Sequence, residues 1–139
     1  MVDTSFIGRR LPTVDAVVEP GRLRGFRRVI GSADPSDPVA PPTFLFALEM
    51  LEAERPLAFI EDMDVHIPSV LHSEQSFDYH HPVRAGDRLV LETIVLDVFE
   101  KRGGALVFIV QGTRVTNDDG VHVADLRRTL VVRKAQEQS

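Results

Sequence analysis

The residues of this chain best suited to chemistry are its histidines, carboxylates and arginines, because it has five histidines and no cysteine. The lack of cysteine removes disulfides, thiolate nucleophiles and thiolate-held zinc. His72, Glu74, Asp78 and His80 are separated by even numbers. In an extended strand such residues fall on one face. That face either lines a site or a wet subunit interface, or is the solvated side of an antiparallel sheet. His and carboxylates at i and i+2 can chelate a metal, but nothing else in the sequence supports one, and neither a metal nor another cofactor is expected. Arg22, Arg24, Arg27 and Arg28 form a second cluster. Their guanidinium groups suit phosphates or an acidic surface, or they form a solvated helix face. Tyr79 and Arg84 flank a turn and either touch a partner chain or pack on the surface.

These groups need elements to position them. The organising stretch is Pro41 to Glu54, PPTFLFALEMLEAE. Two prolines set its entry, and Thr43 is placed to cap a helix. Phe44, Leu48 and Leu51 recur at helical spacing, while Leu45, Phe46, Ala47 and Met50 make most other sides apolar. A helix of that kind is buried, and this one is too short to span a membrane. Glu49 is its only interior charge. The length, 139 residues, suits a single domain covering 1–139. With 43% apolar and 27% charged residues the composition is that of a soluble globular protein. A net charge of −5 argues against nucleic acid as partner. No apolar leader is read at the N-terminus, so a cytoplasmic location and no membrane partner are expected.

Along the chain, Phe6 to Gly8 and Val14 to Val18 are possible strand starts. Gly21 to Gly31 reads as an amphipathic helix with Leu23, Phe26 and Ile30 as its stripe and the arginines mostly off it. Ser32 to Pro42 is loop, and Glu54 to Ser69 is a connector. Strand-like sequence then dominates: Val70 to His80, Arg88 to Glu100, Ala105 to Thr116 and Val121 to Arg133. Arg84-Ala85-Gly86-Asp87, Lys101-Arg102-Gly103-Gly104 and Asn117-Asp118-Asp119-Gly120 supply the turns. Short connections imply antiparallel pairing. The resulting fold class is α+β, an antiparallel sheet wrapped around the Thr43–Glu54 helix, the hot-dog arrangement.

Leu71 to Leu89, LHSEQSFDYHHPVRAGDRL, resembles the N-terminal MaoC-like dehydratase domain, related to the dehydratase region of type I fatty acid synthases. The resemblance extends through Val98 to Gly104, Thr129 to Arg133 and Ala40 to Phe44, and so over most of the chain. It implies a hot-dog domain that works in pairs, homo- or heterodimeric. It also implies acyl thioesters of CoA or acyl carrier protein as substrates, with water added or removed across an enoyl bond.

Catalytic relatives use an Asp and a His in a motif of Asp, any residue, Asn, Pro, Ile or Leu, an optional residue, then His. Here the matching segment is Gly31 to Ala40. With Pro38 as the motif proline, the two positions hold Pro35 and Ala40. With Pro35 instead, they hold Ser32 and Asp37. Neither register contains a His, and Asp34 and Asp37 read as turn residues. His66-Ile67-Pro68 resembles the His-Phe-Pro of other hot-dog dehydratases, but it follows the helix instead of preceding it. His66 with Glu49 is therefore one alternative acid–base pair, and Glu49 as an exposed or interface residue is the simpler reading. His72 is a further catalytic candidate, and Arg27, Arg28, His80 and Arg84 are candidates for binding substrate. The leading reading is the first of three, an (R)-specific enoyl-thioester hydratase or 3-hydroxyacyl-thioester dehydratase subunit, and the other two are its alternatives. The chain is a hydratase or dehydratase subunit paired with a dyad-bearing MaoC-like chain, a self-sufficient homodimer with non-standard residues, or a non-catalytic acyl-thioester-binding or scaffold protein.

Overall fold

The computed structural model describes residues 4–63 and 67–134. Strand β1 (Val14–Val17) leads into helix α1 (Pro20–Val29), followed by helix α2 (Phe44–Glu52) and a short helix α3 (Ala58–Asp62). Four long strands follow: β2 (Val70–Tyr79), β3 (Arg88–Lys101), β4 (Leu106–Asn117) and β5 (His122–Arg133). They form one five-stranded antiparallel sheet in the order β1-β3-β4-β5-β2, with β1 and β2 at its edges. The tight returns rest on residues with positive φ: Gly103 and Gly104 after β3, and Gly120 before β5.

Helix α2 lies on the concave face. Phe44, Leu45 and Leu48 are buried beneath it, each worth about 1.5–3 kcal/mol of transfer free energy. They pack with Leu89, Leu91, Val115 and Leu126 of the sheet. The helix is not apolar-buried all round: Leu51 faces outward at 62% exposure. Thr43 occupies the cap position, but its side chain makes no capping bond; the Phe44 amide donates to the Pro41 carbonyl instead. The connector after α2 contains a helix that the sequence pattern did not announce. Phe59 and Ile60 of α3 are its buried residues, and they close a second apolar cluster with Val95, Val98, Ile109 and Val132. Residues 6–8 are not strand: Thr4–Phe6 is a single 3-10 turn. The chain then runs along β3, with Gly8 N donating to Val95 O and Leu11 N to Thr93 O.

Three bulges interrupt the period-2 pattern. The register slips between His72 and Glu74 in β2, between Val95 and Asp97 in β3, and between Val115 and Thr116 of β4, which pair with Ala124 and His122 of β5. Each extra residue sends the rest of its strand to the other face. No helix among the described residues is long and apolar enough to cross a membrane.

Candidate functional site

The loop where the acid–base motif would lie is strapped in an extended form onto the β2–β3 connection. Ala40 N donates to Val83 O at 2.7 Å and Ala85 N to Pro38 O at 2.8 Å, and Val39 bridges to Arg84. The two aspartates of the loop are engaged within it. Asp34 Oδ1 accepts from the Ser36 hydroxyl at 2.5 Å and the Ser36 amide at 3.0 Å. These bonds, the hydroxyl's first, hold its pKa below 3.8. Asp37 Oδ1 accepts from Val39 N at 2.9 Å, and Oδ2 stands 3.6 Å from Arg27. Both carboxylates form the self-bonded turns that Asp favours in loops.

Arg27 belongs to the same strap. Its side chain is buried, donating to Ser32 Oγ and to the Val39 carbonyl. That corrects its expected position on the polar face of α1, and it leaves the guanidinium directed at its own loop. Arg22 pairs with Glu52 and ties α1 to α2. Arg28 and Arg84 are exposed, and the Arg84 amide donates to Asp87. On the other side of the loop the Tyr79 hydroxyl donates to the Pro42 carbonyl at 2.5 Å. Burial of the phenol pushes its pKa from 10.0 up to about 12. Between loop and strand is a pocket of about 400 Å³ whose wall includes Val39, Ala40, Tyr79, His80 and His81.

A second polar centre lies under α2. Glu49 is buried, 5% exposed, which corrects the simpler expectation of an exposed or interface residue. Its Oε1 receives Arg128 Nη2 at 3.1 Å and sits 3.2 Å from the hydroxyls of both Thr93 and Thr113. Those hydroxyls are 2.7 Å from each other. Each hydroxyl has one proton, so two protons serve three contacts. Arg128 Nε also donates to Gln111 Oε1, while Gln111 Nε2 is buried without a partner. Thr93, Gln111, Thr113 and Arg128 all occupy core-facing positions of β3, β4 and β5, and this polar stripe divides the two apolar clusters. Glu49, Thr93 and Arg128 also line a cavity of about 520 Å³ beside Leu11, Met50 and Ala58. No motif in the sequence marks Thr93, Gln111, Thr113 or Arg128. The available signal was their parity: Arg128 alternates with Leu126 and Leu130, and Gln111 and Thr113 with Ile109 and Val115.

The supposed single face of β2 is two faces. Because of the bulge at Ser73, His72 pairs with core-facing Leu130 and its ring lies 5.0 Å from Phe46 of α2. Glu74, Asp78 and His80 turn to the opposite face, where His80 meets His122 and Asp125. His66 lies outside the described residues.

Residues 5–126 match the family described as FAS1-like, dehydratase domain region. The chain belongs to that family. It is 33% identical to a UPF0336 protein of Streptomyces coelicolor, over 98% of both chains. Among solved structures it is similar to a chain of the C-terminally truncated HadBC (3R-hydroxyacyl-ACP dehydratase) complex from Mycobacterium tuberculosis, with 28% identity, TM-score 0.76 and coverage of 94% of this chain and 99% of that one. A MaoC-like dehydratase shares the fold at TM-score 0.77 and 21% identity, over 94% of this chain and 43% of that one. The chain is thus a MaoC-like hot-dog dehydratase domain, as the motifs in residues 71–89 implied.

Proposed function

We propose that this chain is one subunit of a cytoplasmic (R)-specific enoyl-thioester hydratase or 3-hydroxyacyl-thioester dehydratase. It pairs with a second MaoC-like chain that carries the Asp and His. Hydration requires a base to activate water at C3, an acid to protonate C2 and donors for the enolate oxygen. The observation that carries the proposal is the motif loop: it holds Ala40 or Asp37 where a His is needed, and both of its aspartates accept hydrogen bonds from that same loop. The proton transfers then fall to the partner. This chain supplies the sheet edge and the acyl site. Strand β2 is a ten-residue edge strand, and a free edge of that length favours pairing with another sheet. Leu71 on that strand and Leu51 on α2 are exposed apolar groups that a subunit contact would cover. The cavity beside α2 combines apolar groups, Leu11, Val14, Met50 and Ala58, with the charged Glu49 and Arg128, and its apolar part is where an acyl chain carried by CoA or acyl carrier protein would lie.

The test is turnover. The purified chain is assayed alone with crotonyl-CoA and a longer enoyl-CoA, following loss of the enoyl absorbance, and then with a MaoC-like partner bearing the intact dyad. No turnover alone and turnover on mixing are expected. Robust turnover by the lone chain refutes the pairing reading. One observation favours that second outcome: His80 is hydrogen-bonded to Asp125 and lines the pocket beside Ala40. A homodimer using that pair would lose its activity in His80→Ala. No turnover in either assay, with saturable acyl-CoA binding, would make the chain a non-catalytic thioester-binding protein.

A further inference from the structure

We propose that His80, His122 and Asp125 form a binding site for a divalent transition-metal ion of the zinc class, on the outer face of the sheet where β2 meets β5. His80 Nε2 lies 3.0 Å from Asp125 Oδ2, and His122 Nε2 lies 2.8 Å from Asp125 Oδ1. The three candidate donor atoms all fall within 4.8 Å of one another, and the two imidazole rings are 4.5 Å apart. Around a tetrahedral zinc with bonds of about 2.0–2.1 Å, neighbouring ligand atoms stand about 3.3 Å apart. The two imidazole–carboxylate contacts therefore open by about 0.3–0.5 Å to admit the ion, and the two rings, whose donor atoms lie within 4.8 Å of each other, adjust toward the same spacing. Each Nε2 now reaches the carboxylate by donating a proton. An ion between them replaces those protons and binds both rings in their neutral form.

The backbone builds this convergence. His122 and Asp125 are three apart and would point to opposite faces of a regular strand. The bulge at Val123 returns His122 to the face of Asp125. The Val123 carbonyl then receives both His80 N, at 2.9 Å, and His81 N, at 3.2 Å, which fixes the end of β2 beside it. The charge pattern also calls for a cation. Asp78 stands directly opposite Asp125 across the β2–β5 pair, with Arg114 opposite Asp125 on the β4 side. Two carboxylates facing each other on adjacent strands repel, and a divalent ion between β2 and β5 relieves that. Asp125 presents one carboxylate oxygen to each ring, which holds it in place as the anionic ligand between them.

Two imidazoles and one carboxylate favour zinc, nickel or copper over magnesium or calcium, which prefer all-oxygen sets. All three side chains are 33–47% exposed, so water can complete the shell. Three protein ligands with an open position is the pattern of a reactive zinc site, in contrast to a closed structural one. The ion would clamp edge strand β2 to β5 beside the pocket that His80 shares with Ala40.

The test uses tag-free, chelator-stripped protein titrated with ZnCl2 by calorimetry, with imidazole NMR on the same material. One equivalent should bind saturably while MgCl2 gives no such binding. Of the five histidines, only His80 and His122 should shift. His122→Ala and Asp125→Asn should each weaken zinc at least tenfold, whereas His81→Ala, next to the cluster but outside it, should not. Circular dichroism checks folding, and if a variant does not fold, the wild-type NMR decides alone. Absence of saturable binding, shifts centred on other histidines, or binding that survives His122→Ala in folded protein overturns the proposal.

Discussion

The anchoring of the motif loop to the sheet edge can be measured through one hydroxyl. Tyr79 is the sole tyrosine and there is no tryptophan, so tyrosinate absorbance reports this residue alone. In the folded chain its hydroxyl donates to Pro42 O, and burial raises its pKa from 10.0 to about 12. The folded state therefore keeps a proton that the unfolded chain releases near pH 10. The resulting stability is fully present below pH 10 and is lost as pH rises through 12. The difference between 10.0 and about 12 corresponds to about 2.7 kcal/mol when fully expressed. The ring is half-buried, so screening reduces the working figure to about 1–1.5 kcal/mol. Absorbance should show a reversible midpoint near 12, or a midpoint tied to alkaline unfolding seen by circular dichroism. Tyr79→Phe should cost about 0.5–1.5 kcal/mol at neutral pH for the lost hydrogen bond and should flatten the alkaline decline. A reversible midpoint near 10 with unchanged circular dichroism would refute the reasoning and release Pro42 from the strand.

Arg128→Met leaves the Glu49 carboxylate buried without its cation and should destabilise by about 3–5 kcal/mol in urea unfolding. Glu49→Leu combined with Arg128→Met should cost less than the single change, because no orphaned charge remains. Asp34→Asn and Asp37→Asn, assayed in the complex with a dyad-bearing partner, should hold kcat within about twofold; a loss of a hundredfold, the scale of general acid–base catalysis, would make either one catalytic. Asp125 has a depressed pKa in the fold, so its stabilising contribution is present above pH 3.8 and lost as pH falls through its lower folded value. Chelated wild type should therefore exceed chelated Asp125→Asn in stability near neutral pH, and the gap should close on acid titration.

How far the fold was legible follows from where regular patterns persist. Strands β3, β4 and β5 carry β-branched runs between Gly- and Asp-rich turns, and the sheet forms where those runs lie. Helix α2 follows from its prolines and its apolar density. Helix α3 did not stand out because Ala58–Asp62 is only five residues, too short to show helical periodicity. It holds through Phe59 and Ile60, whose burial depends on the sheet already being in place. Arg27 was misplaced for a related reason. By helical spacing it belongs with the solvated arginines, but the carbonyl of Val39 and the hydroxyl of Ser32 give it partners only once the loop has folded back.

The site residues were harder to read, and the cause is the three bulges. Period-2 reading assumes that nothing interrupts the ladder. Even spacing groups His72 with Glu74, Asp78 and His80, yet one extra residue at 73 separates them. His122 and Asp125 have the wrong spacing for a shared face until the extra residue at Val123 supplies it. Bulges concentrate where a strand must re-aim a side chain, and two of these three re-aim residues of β2 and β5. One directs His72 toward α2, and the other joins His122 to Asp125 and His80. By contrast, Arg128 and Gln111 lie in unbroken stretches, and their inward parity was readable throughout. What concealed them was the expectation that an Arg faces water. Burying Arg128 is tolerable because Glu49 arrives from α2 to pair with it, a contact between positions 49 and 128 that local pattern cannot show. The polar stripe therefore ties the orientation of α2 to the registers of β3, β4 and β5. A shift of that helix by one residue would take the Glu49 carboxylate away from Arg128, Thr93 and Thr113 together.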